Sequence, residues 1–203
     1  MYWNLQTISF SKNIEKIFAH RKEGKKKETI EEHLMLTRNY LERIIEKKKL
    51  SETIDTLIKT ISVENYDLLK SMFYNAIYLH DLGKDNTSFQ RHQMENEDFE
   101  ETTESSNHSL PSALKYAILF HDDIQKIKDD TEFYKAVFVL HSFAYLISKH
   151  HGSLGSFENY IIKIKDSNLS NAIKSLNCLK IPEFEFYILN KLLFSLLISS
   201  DYY

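Results

Sequence analysis

The chain has 203 residues, 42% hydrophobic and 27% charged, a balance of soluble globular proteins and long enough for one domain with a sizeable core. Its 29 acidic side chains outnumber 26 basic ones, for a formal net charge of −3. That excludes a general nucleic-acid-coating protein, so any nucleic acid must be held locally, by a site or a partner.

The single cysteine, Cys178, rules out an intrachain disulfide and a thiolate zinc site. The N-terminus carries no secretory pattern, and the most apolar stretch, 188–200, is short and contains Lys191. These features point to a reducing, cytoplasmic setting with no membrane partner. With only four glycines and two prolines, few residues are available for hairpins, which favours an all-α fold.

Residues 1–28 read as irregular, with at most a short strand or helix, and close on a basic loop: Arg21, Lys22, Lys25, Lys26 and Lys27. Thr29 and Glu32 have capping-box spacing and open a helix whose apolar face is Leu34, Leu36, Leu41, Ile44 and Ile45. A shorter helix begins at Ser51-Glu52. A largely apolar helix spans 66–80 and runs into His80-Asp81-Leu82-Gly83-Lys84. The polar segment 85–107 holds one short helical piece around Phe89. Ser109 reads as the cap of the next helix, with Pro111 in its first turn. Helical spacing returns over 131–150, the longest predicted helix, then over 156–165 and 169–179. Pro182 precedes a last apolar helix ending at Asp201. No repeat or linker divides the chain, and its end just after Asp201 has the look of a fragment of a longer protein.

The chemistry centres on His80-Asp81. Neighbouring residues in mid-helix point about 100° apart, but at a helix end followed by Leu-Gly both can turn inward. An imidazole offers one neutral nitrogen, whereas a carboxylate has two oxygens and can bridge two cations. The doublet alone is weak, because His121-Asp122 repeats it in a solvated, Lys/Asp-rich surrounding. Its company raises it: His33, His108, His150-His151-Gly152 and Asp201 all sit near element ends, where side chains from separate helices can converge.

In this order, His33, then His80-Asp81-Leu82-Gly83-Lys84, Asn107-His108-Ser109, His150-His151-Gly152 and Asp201, the chain resembles the HD phosphohydrolase superfamily. More narrowly it is similar to the HD nuclease domain of the type I CRISPR-associated helicase–nuclease. His108 and the His-His-Gly carry that narrower likeness, and Phe18-Ala19-His20-Arg21 resembles the segment that precedes the family's first ligand. His20 therefore competes with His33 for the first position. The resemblance covers nearly all of residues 1–203 and implies an HD-domain helical bundle with a two-metal site at converging helix ends. One site would use His33, His80, Asp81 and Asp201, and the other Asp81, His108, His150 and His151.

The resemblance further implies a metal-dependent endonuclease or exonuclease that degrades single-stranded invader DNA. It would work with an ATP-dependent helicase, fused or separate, and an RNA-guided surveillance complex. Asp81 would be catalytic as the shared ligand, and Lys84 would contact a phosphate or stand as a solvated lysine. Two divalent cations against two aspartates leave a positive pocket for a phosphodiester. A nitrogen-rich ligand set favours Mn, Ni, Co or Fe, with Mg possible. The basic loop and Lys149 are candidate DNA contacts, although a charge run is usually a solvated face. Two other readings remain: an HD-type hydrolase of nucleotides or cyclic nucleotides, and a non-catalytic HD interaction domain.

Overall fold

A computed structural model describes residues 16–201; the sequence reading of residues 1–15 lies outside them. The described residues are mostly helical, with nine α-helices and one short antiparallel strand pair. None of these helices is long and apolar enough to cross a membrane.

The strand pair comes first. β1 (Phe18–His20) and β2 (Glu28–Thr29) enclose the basic loop and set His20 opposite Glu28. α1 (Ile30–Lys48) then starts at the capping box. Thr29 Oγ1 accepts from the Glu32 amide at 3.1 Å, and the Glu32 carboxylate accepts from the Thr29 amide at 2.8 Å. The buried face is Ile30, His33, Leu34, Thr37, Leu41 and Ile45, a regular i, i+3/i+4 stripe. It differs from the expected face, because Leu36 is exposed while the polar His33 and Thr37 turn inward.

α2 (Ser51–Ile61) and α3 (Tyr66–Tyr78) follow. α3 ends two residues short of His80, so the HD doublet lies in the turn after the helix. A 3-10 turn (Leu82–Asp85) and a single π-helical turn (Phe89–Gln93) carry the chain to α4 (Ser109–Gln125). Ser109 is not the cap; His108 holds that position without a side-chain cap bond, and Asn107 Oδ1 accepts from the Ser109 amide at 3.0 Å.

α5 (Asp130–Ile147) is capped by Asp129 and stops before His150; α1 is one residue longer. α6 (Phe157–Ile164) is a short helix, and the helix expected over 169–179 is broken at Ser175 into α7 (Ser167–Lys174) and α8 (Leu176–Leu179). α9 (Glu183–Asp201) closes the fold.

α5 is the central helix, packed against α3, α4, α7, α8 and α9, while α9 also covers α1, α2 and α3. The main core includes Ile58, Phe73, Tyr116, Phe120, Phe143 and Leu193. A second, smaller cluster matters more for function. Ile17, Ala19, Ile30, Leu34, Leu79, Leu82 and Phe99 pack together beneath the strand pair. Ala19 precedes His20, Leu34 follows His33, and Leu79 and Leu82 flank His80-Asp81, so this small core fixes three chain segments relative to one another.

Candidate metal centre

The ends of five helices meet at Asp81. His33 comes from the start of α1, His80 and Asp81 from the turn after α3, and His108 from the head of α4. His150 and His151 follow α5, and Asp201 ends α9. Asp81 is fully buried, and its two oxygens face different partners. Oδ2 lies 2.8 Å from His33 Nε2 and 3.3 Å from His80 Nε2. Oδ1 lies 3.1 Å from His108 Nε2 and 3.2 Å from His150 Nε2. Asp201 Oδ1 adds to the first side, 3.2 Å from His80 Nε2 and 3.7 Å from His33 Nε2.

Two groups that could hold a metal ion result. One is Asp81, His108, His150 and His151; the other is His20, His33, Asp81 and Asp201. Within each, one donor atom per residue lies within 4.8 Å of the rest. His80 faces the same two carboxylates as the second group. All seven expected ligands are thus brought together, and His20 and His33 join one group instead of excluding each other.

Local backbone geometry explains the convergence. After α3, Leu79 and Asp81 sit near φ −105°, ψ 11° (−103°, 11° and −109°, 11°), the sparsely populated bridge region common at active sites. This turn swings Asp81 inward instead of around the helix. Gly83 then passes against the head of α4, its amide donating to Ser112 Oγ at 2.8 Å. The Lys115 ammonium pairs with Asp85 and ties the same turn down.

Backbone carbonyls orient two of the imidazoles. His80 Nδ1 donates to the Ile77 carbonyl at 2.9 Å and His150 Nδ1 to the Ile147 carbonyl at 2.6 Å. Each bond keeps a proton on Nδ1 and points Nε2 toward the centre, the orientation of metal-binding histidines. Asp81 Oδ1 and Oδ2 and the Nε2 atoms of His108 and His150 are buried and close together, yet none is aligned for a hydrogen bond. Buried polar atoms left this way are costly unless something else satisfies them. Apart from the His80–Asp201 hydrogen bond and the Lys84 ammonium beside Asp81, this converging set of imidazole nitrogens and carboxylate oxygens could hold a metal ion.

Lys84 is neither solvated nor turned outward. It is 2% exposed, with its ammonium 2.7 Å from Asp81 Oδ2 and 2.9 Å from His20 Nε2. Burial alone would raise the Asp81 pKa, but the His80 and Lys84 charges hold it well below the usual carboxylate range. Burial likewise opposes protonation of His80, and Asp81 and Asp201 override it, lifting its pKa to about 10. Burial would raise Asp201 too, yet its hydrogen bond with His80 brings it to about 2. At His151, burial and then the neighbouring His150 push the pKa down to about 4.

These shifts fix the pH dependence of the metal-free fold. His80, raised from 6.5, contributes stability that is complete below pH 6.5 and is lost as pH rises through 10. His151, lowered from 6.5, resists a proton that the unfolded chain accepts, so stability also falls as pH drops from 6.5 toward 4. Asp201 adds its loss only below 3.8. Thermal unfolding of chelator-treated protein therefore peaks near pH 6.5; a midpoint still rising from pH 7 to 9 contradicts the arrangement.

Sequence reasoning missed two supporting residues. Glu28 Oε2 accepts from His20 Nδ1 at 2.8 Å, and its other oxygen lies 3.8 Å from His33 Nδ1. Buried Gln90 donates to the Phe18 and Lys84 carbonyls at 2.7 Å each and accepts from the Phe18 amide at 3.0 Å, stapling β1 to the turn after Asp81. The signal for Glu28 was its place opposite His20, which only the strand pairing reveals.

The basic loop is largely engaged with acidic and carbonyl groups. Arg21 pairs with Glu95, Lys26 lies 3.3 Å from Glu32, and Lys27 donates to the Glu95 carbonyl at 3.0 Å. Lys22 and Lys25 are exposed, as are His121 and Asp122. Comparison of the chain with protein-family models, curated proteins and solved structures finds no match.

Proposed function

We propose that this chain is a two-metal phosphodiesterase of the HD type that cuts single-stranded DNA. The observation that carries the reading is the division of Asp81: one oxygen toward His33 and His80, the other toward His108 and His150. A carboxylate so placed can join two cations at a fixed short separation, the requirement of two-metal hydrolysis. Divalent cations held by these residues would supply Lewis acidity toward a phosphodiester and lower the pKa of bound water.

The protein's own part is to hold that arrangement. His33, His80 and Asp201 would hold one ion and His108, His150 and His151 the other, with Asp81 shared and His20 beside the first. Lys84 keeps Asp81 charged and oriented. His151 is exposed while the other imidazoles of its group are buried, so its edge of the centre is where a phosphate can enter. The nitrogen-rich donors favour Mn, Fe, Co or Ni over Mg.

The ordered motif series supports a place among HD nucleases resembling that of the type I CRISPR helicase–nuclease. On that reading an ATP-dependent helicase delivers the strand and an RNA-guided complex selects it. Purified protein given Mn, Ni or Co should degrade a single-stranded oligonucleotide and leave a free nucleotide or cyclic nucleotide intact. The opposite preference would make it a nucleotide hydrolase, and inactivity without metal uptake would leave an interaction domain.

A further inference from the structure

A cleft of about 530 Å³ is lined in part by Asn107 and Lys149, and its volume is within the range of about 300–1,000 Å³ common for small-ligand sites. Its lining includes Asn107, Ser148, Lys149 and Glu104, with Asn159 and Lys163 of α6. Asn107 directly precedes His108, and Lys149 directly precedes His150. The cleft is therefore about one residue step, roughly 3.8 Å between Cα atoms, from two proposed ligands on two different elements.

Its charge is also distinctive. Two lysines face one glutamate, in a chain that is acidic overall. Among the described residues neither lysine ammonium has a carboxylate partner; Lys149 Nζ lies instead 6.0 Å from the centre of the Tyr145 ring. In the basic loop, by contrast, Arg21, Lys26 and Lys27 are already held by protein groups. Amide and hydroxyl side chains between the lysines offer hydrogen bonds to sugar and phosphate oxygens without selecting a base.

Resting on the phosphodiesterase reading, we infer that this cleft binds the nucleotide next to the scissile phosphate of a single strand, with Lys163 and Lys149 on its phosphate. A strand whose reacting phosphate sits beside His108 and His150 must continue across the adjoining surface. This cleft is sized for one nucleotide of such a strand and not for a paired duplex.

The test compares two substrates of the metal-loaded protein: a single-stranded 12-mer, and bis(p-nitrophenyl) phosphate, which has no flanking nucleotide. Lys163 is exposed, so Lys163→Glu should fold normally, and metal content measured alongside checks that the centre is intact. The ratio of kcat/KM for the 12-mer to that for the small diester should fall about tenfold, mainly through the 12-mer's KM. Lys25→Glu, in the basic loop, is the comparison. An unchanged ratio in Lys163→Glu, or the same fall in Lys25→Glu alone, overturns the cleft assignment while leaving the phosphodiesterase reading standing. Wild-type protein that binds metal and hydrolyses neither substrate overturns both.

Discussion

On the proposed function, Asp81→Ala should abolish phosphodiesterase activity and remove metal from both halves of the centre, whereas Asp122→Ala should leave both unchanged. Asp81 is the only residue common to the two candidate groups, and five nitrogens surround its carboxylate. Metal ions stabilise transition-state charge by several kcal/mol, and each 1.36 kcal/mol is a factor of ten. The rate should therefore drop by at least about a thousandfold.

The same change acts on the metal-free fold. His80 and Lys84 lose the anion that balances them in a buried site, which costs about 3–5 kcal/mol, less what His80 recovers by releasing its proton. Asp81→Asn keeps the shape but supplies an uncharged oxygen, so it should lose activity nearly as completely. Asp122 belongs to the second His-Asp doublet, yet it is exposed near the C-terminal end of α4, whereas His108 caps that helix's other end. Paired measurements of cleavage and bound metal in the three variants check this; cleavage surviving in Asp81→Ala contradicts it.

Gly83→Ala is expected to damage the centre without touching a ligand. A Cβ at Gly83 would lie 2.6 Å from the Ser112 amide nitrogen and closer still to the His108 carbonyl oxygen. Both are backbone atoms in the first turn of α4, so no side chain can swing aside. The turn carrying Asp81 must move away from the helix that presents His108, which also breaks the Gly83–Ser112 hydrogen bond. Overpacking of this kind costs about 1–3 kcal/mol, and the lost buried bond adds about 1 kcal/mol.

The functional effect is directional. The His108, His150 and His151 side of the centre should lose metal affinity more than the His33, His80 and Asp201 side, because Asp81 Oδ1 retreats from His108. Cleavage should fall by about a hundredfold, as expected when a reacting geometry shifts by about 1 Å. Metal titration and chemical denaturation of the variant check the two parts separately. Wild-type stability and activity in Gly83→Ala would mean that the close approach to α4 is not required.

Much of this centre was legible in the sequence because its ligands mark element ends. His33 near a capping box, His108 before a proline-bearing helix start and His150-His151 before a glycine are positions that secondary-structure punctuation identifies. Asp201 was legible as an acid closing an apolar helix. Helix order followed from periodicity for the same reason, with end errors of up to three residues and the helix expected over 169–179 divided in two.

What was not legible depended on tertiary partners. Hydrophobic spacing assigned Leu36 to the buried face of α1, but Leu36 is exposed and the polar His33 and Thr37 turn inward, with His33 Nε2 facing the Asp81 carboxylate. The sequence left Lys84 between a phosphate contact and a solvated lysine; the approach of His20 and Asp81 instead accounts for its buried ammonium. Glu28 and Gln90 act across a strand pair and a polar segment whose paths no local signal traces. The basic loop had the strongest charge signal, yet Arg21 and Lys26 are matched by Glu95 and Glu32, and Lys27 is held by the Glu95 carbonyl.

Counting the metal ions bound per chain tests the two-metal claim most directly. Metal-free protein titrated with Mn or Ni should take up two ions per chain, with saturation of both lost together in Asp81→Ala. Binding of a single ion, or uptake of two that persists without the Asp81 carboxylate, would contradict a centre bridged by that residue.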